Sequence, residues 1–382
     1  MLFITYNDSF SGIYRSQVID VCRFFGDSLE EEIELVAFVS IRNYFKDRKE
    51  IRRTFAHSTV LPLFPGIKNW KRNQLLLNLL MVFRKRQGAI TRGVFSTLLA
   101  QKCCKISSVI FDARGAYSAE WKEYMSGESS EIVREITELE RKALFGADFR
   151  IAVSKQLVQY WKTEYGYNGK DYVIIPCTTD SDLDLLEDNK KRRSELGVKE
   201  SEVLLVFSGS AAGWQSMERL YSILKGAFSI NRSLKLLLLS RDNCDNDFFT
   251  LFPDRIIRTW VKPGAVPTYL NAADYGLLYR DDTVTNRVSS PVKFAEYLLA
   301  GLPVIISDNV GDYSKFVTEK NCGHLYSAID WSVLKRTGAA ERQRMKELAE
   351  NYFRKKVYIS EYRKIAEVEK AIAPKVSVRF FH

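Results

Sequence analysis

In the stretch SPVKFAEYLLAGLPV, residues 290–304, a lysine and a glutamate stand three residues apart in an otherwise apolar segment. Ser290 suits an N-cap and Pro291 the first helical position, while Gly301 and Pro303 stop the helix before the apolar run from Val304 to Ile306. At that spacing Lys293 and Glu296 share one face of the first turns, beside free backbone amides and the positive end of the helix dipole. A cation there can neutralise a phosphate, and a carboxylate can accept hydrogen bonds from the paired hydroxyls of a ribose. The same two residues alone also make an ordinary solvated ion pair, worth a few tenths of a kcal/mol. The surroundings must decide.

The helix follows a strand-like YGLLY and the polar loop YRDDTVTNRVS, which adds Arg287 and Ser289 to Ser290 as candidate phosphate ligands. Two glycine-bearing turns have the same strand-to-helix setting: DSFSGIYRSQ with Gly12, and FSGSAAGWQS with Gly209, Ser210 and Gly213. Neither matches G-x-G-x-x-G or the P-loop, so a bound dinucleotide is not expected. Trp260, ending the strand-like RIIRTWV, is a further candidate on the nucleotide side. Asp112 and Arg114 in VIFDARG offer charge at the end of another strand. Asp180, Asp182 and Asp184 alternate in a linker, and Asp245 and Asp247 in a loop, but neither set has the pattern of a calcium loop; no metal ion is expected.

These residues need a scaffold that aligns strand ends. Apolar runs alternate with helical periods twice over, which implies an α/β protein of two doubly wound parallel sheets. LFITY, IELVAFVSI, SSVIFDARG, FRIAVS and DYVIIPC read as strands of the first; EVLLVFS, SLKLLLLS, RIIRTWV, YGLLYR and LPVIIS read as strands of the second. The charged stretch from Thr178 to Gly197 marks the boundary. The expected domains are residues 1–185, with 362–382 packed back on them, and residues 186–361. The 382 residues suit two cores, and 46% hydrophobic with 27% charged residues is normal for a globular chain. No apolar run approaches the length of a membrane span, and the start lacks the features of a signal peptide. Six cysteines without metal spacing fit reduced thiols and a cytoplasmic location. Three histidines leave little room for a histidine-based mechanism.

ADYGLLYRDDTVTNRVSSPVKFAEYLLAGLPVIIS strongly resembles the donor segment of the retaining glycosyltransferases of family 4, in the variant S-P-x-K-x-x-E-Y-L-x-x-G-x-P-V. AITRG, VIFDARG, ADFRIAVSKQL, YVIIPC and LLVFSGSAAGW fall in the order found in such enzymes. The resemblance implies the GT-B fold: an N-terminal acceptor domain and a C-terminal nucleotide-sugar domain, both Rossmann-like, with a cleft between them. It implies a UDP-, GDP- or other nucleotide-diphosphate sugar as donor, no cofactor, and a hexosyl transfer that retains anomeric configuration without a metal. A glycan or lipid-linked acceptor in bacterial surface polysaccharide synthesis is the implied setting. Glu296 and Lys293 carry over to the motif, with Asp112 and Arg114 on the sugar or acceptor side. Three departures stand out. Val288 occupies the place of a first glutamate eight residues before Glu296, SGSAAGWQ replaces the usual Arg and Lys of the diphosphate loop, and Asp112 stands near where many members have a histidine.

Between Arg42 and Arg92 stand thirteen Lys and Arg against only Asp47 and Glu50. NWKRNQLLLNLLMVFRKRQG sets an apolar core, too short to span a bilayer, between cations. It reads either as a buried helix with solvated ends or as a helix at an anionic membrane surface with Trp70 and Phe83 as anchors, and IRNYFKDRKEIRRTF is expected to extend that surface. The second reading places the chain at the inner face of the plasma membrane. A nucleic-acid-binding protein would use the same block, yet no helix-turn-helix, RNP or zinc signature occurs. A GT-B epimerase would share the fold without needing an acceptor, and a nucleotide-sugar-binding relative without activity would fit Val288 and the altered diphosphate loop.

Overall fold

The computed structural model describes residues 1–64, 66–124, 130–180, 189–209, 216–241 and 246–372. Its contacts divide the chain into two units: Met1–Asp180 with Lys355–His382, and Ser181–Arg354.

The first unit carries a seven-stranded parallel sheet: β1 (Leu2–Tyr6), β2 (Glu34–Ser40), β3 (Ser58–Leu63), β4 (Gln87–Arg92), β5 (Ile106–Ala113), β6 (Phe149–Ala152) and β7 (Tyr172–Ile174), in the order β3-β2-β1-β4-β5-β6-β7. Strands such as LVAFV in β2 are apolar throughout because helices cover both faces. Topology sets which helix goes where. The helix Tyr44–Thr54 connects β2 outward to β3, whereas Asn73–Met81 connects β3 back across the sheet to β4. Right-handed crossovers in opposite directions put these two helices on opposite faces. Accordingly Ile51 joins the core formed by Phe25, Tyr362 and Ile365, a cluster that contains neither Leu77 nor Met81.

The second unit holds a six-stranded parallel sheet: β8 (Val203–Ser208), β9 (Leu234–Leu239), β10 (Ile256–Thr259), β11 (Tyr275–Leu278), β12 (Val304–Ile306) and β13 (Gly323–Leu325), ordered β10-β9-β8-β11-β12-β13. In both sheets the order reverses direction beside the first strand, between β1 and β4 and between β8 and β11. In open α/β sheets the crevice at the carboxyl ends of such a pair is where ligands bind.

Three strands escape the sequence pattern: the central β4, whose QGAITR is polar at both ends, and two at the sheet edges. β3 contains Pro62 and β13 is three residues beginning with a glycine, and both are edge strands, where pairing on one side relaxes the demand for an apolar, proline-free run. The chain returns to the first unit at Lys355. Ala339–Tyr352 stays with the second unit, burying Met345 and Ala349 against the core that includes Phe294 and Leu298. In the first unit the helix Ile359–Ile372 packs Tyr362 on Phe24 and Phe25, and its Glu369 accepts from the Gly88 amide at 2.9 Å. At the crossing, the fully buried Lys355 meets the Asp180 carboxylate at 3.0 Å.

Candidate functional site

The second unit brings two of the candidates, Lys293 and Glu296, to the end of β8. The helix carrying them runs Val292–Leu299, and Pro291 rather than Ser290 holds its cap position. The Ser290 hydroxyl is committed elsewhere, to the Tyr313 hydroxyl at 2.6 Å, so no side chain caps the helix. Gly301 ends the helix in the left-handed region at φ 77°, as the Gly-Leu-Pro stop predicts. Tyr297 anchors the helix to the sheet: its hydroxyl accepts from the Ser208 amide at 3.0 Å and donates to the Leu277 carbonyl at 3.3 Å. Burial pushes that hydroxyl's pKa well above the usual tyrosine value, with the Ser208 hydrogen bond opposing it and the Glu296 charge adding to it, so it stays a neutral donor. Its ring lies so close to β11 that a Cβ on Gly276 would sit 2.4 Å from it.

That anchoring aims Lys293. Its Nζ lies 2.9 Å from Glu296 Oε2 and donates to Ser208 Oγ at 3.2 Å. Glu296 Oε2 is buried without a hydrogen bond of good geometry, while the side chain as a whole is only half-buried. The Lys293–Glu296 pair therefore stands at the switch-point end of β8, beside Gly209 and the uncapped amides of the helix. Ser210 and Gly213 fall outside the described residues.

Other candidates are placed differently. Arg287 is drawn into a two-point pairing with Asp282 at 2.5 and 2.8 Å on an exposed turn. Trp260 lies under the Arg241 guanidinium, 3.9 Å from the ring centroid, so these two flank the ends of β9 and β10. Ser289 donates to the Asn286 carbonyl at 2.8 Å, and Arg280 points at Asn286 Oδ1 at 3.2 Å and Ser289 Oγ at 3.5 Å. Sequence reading passed over Arg280; its only signal was a cation in the first residues past a strand. Val288 is buried, so the position that lacks an acid is an apolar one.

In the first unit a cavity of about 650 Å³ opens at the carboxyl ends of the strands around β1 and β4. Tyr6, Phe95, Tyr117 and Trp121 make an aromatic wall with successive ring centroids 5.4, 5.8 and 6.3 Å apart. Aromatic faces of this kind suit the apolar faces of sugars. Burial pushes the Tyr6 and Tyr117 hydroxyls up to about 12, so both remain protonated donors. Arg114 lines the cavity, but Asp112 does not: it is buried and divided between Arg114 at 3.1 Å and Arg92 at 3.6 Å. Arg92 in turn holds Asp8 at 3.1 Å. Burial alone would lower the Arg114 pKa, but the charge and hydrogen bond of Asp112 together with the charges of Cys177 and Tyr362 outweigh it, so the guanidinium is held in its charged form. Asp112 thus holds the Arg114 guanidinium by an ion pair and a hydrogen bond. Gly12 begins a short helix, Gly12–Tyr14, capped by Ser11, and leads to Gln17, whose Oε1 accepts from Arg114 at 3.0 Å. A Cβ on Gly12 would meet nothing within 4 Å.

Glu120, also on the cavity wall, escaped sequence analysis because nothing local marks it. Burial, then the charges of Glu140 and Glu123, raise its pKa above the ordinary 4.5. A carboxyl whose folded value is raised contributes stability below about 4.5 and loses it as pH rises through the folded value. Glu120→Gln is expected to raise the melting temperature at pH 7 and leave it unchanged at pH 4. An equal shift at both values would show that the charge is not the cause.

Among the described residues no cluster of His, Cys, Asp or Glu forms a metal cradle. Of the two aspartate sets, Asp180 binds Lys355 and Asp247 binds Lys225, while Asp182, Asp184 and Asp245 lie outside the described residues. No helix among the described residues is long and apolar enough to cross a membrane.

The family model for the C-terminal domain of glucosyltransferase 3-like proteins matches residues 253–367, a segment that contains Lys293 and Glu296. No curated protein matches the sequence. The fold is similar to that of a glycosyltransferase from Rickettsia africae, at 15% identity and TM-score 0.70, covering 97% of this chain and 98% of that one. It is also similar to sucrose-phosphate synthase from Thermosynechococcus elongatus, at 14% identity and TM-score 0.66, covering 98% and 100% of the two chains. HepE from Anabaena, in complex with UDP, gives 13% identity and TM-score 0.66 over 98% and 99%. At such identities the likeness shows the fold, which is GT-B.

Proposed function

We propose that the protein is a retaining glycosyltransferase that moves a sugar from a nucleotide-diphosphate donor to a glycan or lipid-linked acceptor in bacterial surface polysaccharide synthesis. The observation that carries this reading is the placement of Lys293 and Glu296 at the switch-point end of β8, with Lys293 bonded to Ser208. The family-model match spans both residues, and HepE, similar in fold, holds UDP-glucose in another of its structures.

In this reading the Lys293 ammonium and the helix amides take the diphosphate, Gly209 and Ser210 let backbone approach it, and Glu296 accepts from the ribose hydroxyls with the oxygen not facing Lys293. Arg280 and Ser289 are further contacts for the diphosphate or the sugar. Transfer breaks the bond between the anomeric carbon and the diphosphate oxygen and forms one to the acceptor hydroxyl on the same face. The acceptor proton passes to the departing phosphate oxygen. Charge stabilisation of the leaving group supplies the rate, and the protein contributes positioning and cations rather than a base. No metal is required. The aromatic cavity of the first unit, with Arg114 held by Asp112, takes the acceptor. The setting is cytoplasmic, at the inner face of the plasma membrane.

Screening UDP-, GDP- and other activated sugars tests the donor half. The cognate donor at a hundred times its dissociation constant should add about 2.7 kcal/mol of apparent stability and raise the melting temperature. Loss of that shift in Glu296→Ala is expected. No shift with any nucleotide sugar overturns the reading. The buried Val288 favours one second reading, a donor-binding relative without transferase activity; such a protein gives the thermal shift but never a glycosylated product.

A further inference from the structure

The basic block between Arg42 and Arg92 does not make one surface, because the helices Tyr44–Thr54 and Asn73–Met81 lie on opposite faces of the sheet. Nor is Trp70 an anchor: it is 3% exposed, packed on Phe95 at 5.6 Å and covered by Lys102. One element nevertheless keeps an outward face. The helix Asn73–Met81 buries Asn73, Leu77 and Met81, at a spacing of four. Leu75, Leu79 and Val82, at spacings of four and three, are each more than half exposed, and Phe83 directly after them is 96% exposed. A leucine or phenylalanine standing singly on a surface is ordinary; two on one helical face with two more in the turn directly after it are a patch.

Cations bracket the stripe. Lys71 and Arg72 precede it, Lys85 and Arg86 follow it, and all four are exposed. No carboxylate pairs with Arg72, Lys85 or Arg86 among the described residues, and the helix itself carries no acid. Arg84 is the contrast: it turns inward to hold both oxygens of Glu34 at 2.5 and 2.6 Å. An apolar stripe between unpaired cations is complementary to an anionic bilayer surface, where hydrocarbon accepts the side chains and headgroups accept the charge. A second copy seated on the same stripe would bring cationic ends against cationic ends in an antiparallel pair.

We propose that the outer face of this helix and the turn after it, Leu75, Leu79, Val82 and Phe83, with the flanking Lys71, Arg72, Lys85 and Arg86, docks the protein on an anionic lipid bilayer. This surface stands whether or not the chain transfers sugar. Its assay is equilibrium binding without substrate, so its failure leaves the donor reading intact and the reverse also holds.

The full chain is expected to float with vesicles of equal phosphatidylcholine and phosphatidylglycerol and to stay behind with phosphatidylcholine alone. Leu79→Glu with Phe83→Glu should abolish flotation, and Lys85→Ala with Arg86→Ala should reduce partition roughly 30-fold. Val333→Glu, an exposed apolar site of the second unit, should leave it unchanged. Phe83→Trp reports insertion without adding charge: its emission should shift to the blue and be quenched by brominated acyl chains in anionic vesicles only. The proposal is overturned by equal flotation with neutral vesicles, by unchanged binding in the stripe variants, or by absence of quenching at position 83. It is equally overturned if the stripe variants convert a dimer to a monomer while vesicle binding is absent throughout, or if polyanionic RNA binds through the same cations and anionic vesicles do not.

Discussion

In the proposed transfer, replacing Lys293 with alanine is expected to lower turnover about 10²- to 10³-fold while the melting temperature stays within a few degrees, the loss that follows when one preorganised charge is removed from a developing anion. The fold survives because Lys293 is half-buried and among the described residues binds Ser208 and Glu296 alone; the anchor of the helix is Tyr297, which is untouched. Steady-state kinetics with the donor found in the screen supply the measurement. The fall should appear in kcat more than in KM, since an ammonium bearing on the leaving diphosphate matters most as charge accumulates there. Lys293→Arg restores charge but not the compact reach to Ser208, and should recover only part of the rate. Turnover within twofold of wild type in Lys293→Ala would remove this residue from the mechanism.

The largest stability effect is expected at Asp274. Its carboxylate is fully buried just before β11; Oδ2 accepts from the Leu204 amide at 2.8 Å and from Arg193 at 2.9 Å, and Arg342 and Arg336 stand 3.6 and 3.7 Å from Oδ1. Arg193 is itself buried, with backbone carbonyls as its remaining partners. Asp274→Ala strands that guanidinium and the Leu204 amide in a site water does not reach, at a cost of about 3–5 kcal/mol. For a unit of this size that lowers the melting temperature by roughly 10 °C. Combining it with Arg193→Met should recover much of the loss, because an apolar side chain needs no partner there. Calorimetry on the two variants decides; a single variant that melts like wild type would mean that the buried pair adds nothing.

Much of the architecture was legible in the chain. Continuous apolar runs such as LLVF and KLLLLS, alternating with helical periods, can be satisfied only by a sheet covered on both faces, so the doubly wound form follows from local pattern. The GT-B expectation from the S-P-x-K-x-x-E-Y-L segment agrees with the fold. The edge strands β3 and β13 were not legible, since one free side tolerates Pro62 and a three-residue strand. The Ser290 cap was also misjudged: Tyr313, 23 residues away, takes the hydroxyl that a local rule assigns to the helix.

The sequence by itself determined which residue types could meet a phosphate and a ribose, and that they sit where a strand turns into a helix, because spacing along one helix is a local property. Only the tertiary structure decided which of them act together. Lys293 finds Ser208, 85 residues away, through the β8–β11 neighbourhood; Arg287 is taken by Asp282; Asp112 is enclosed between two arginines; and the cations of the basic block are shared between two faces of a sheet. These outcomes depend on strand order and crossover hand, which bring distant segments together by packing and leave no trace in the local spacing of residues.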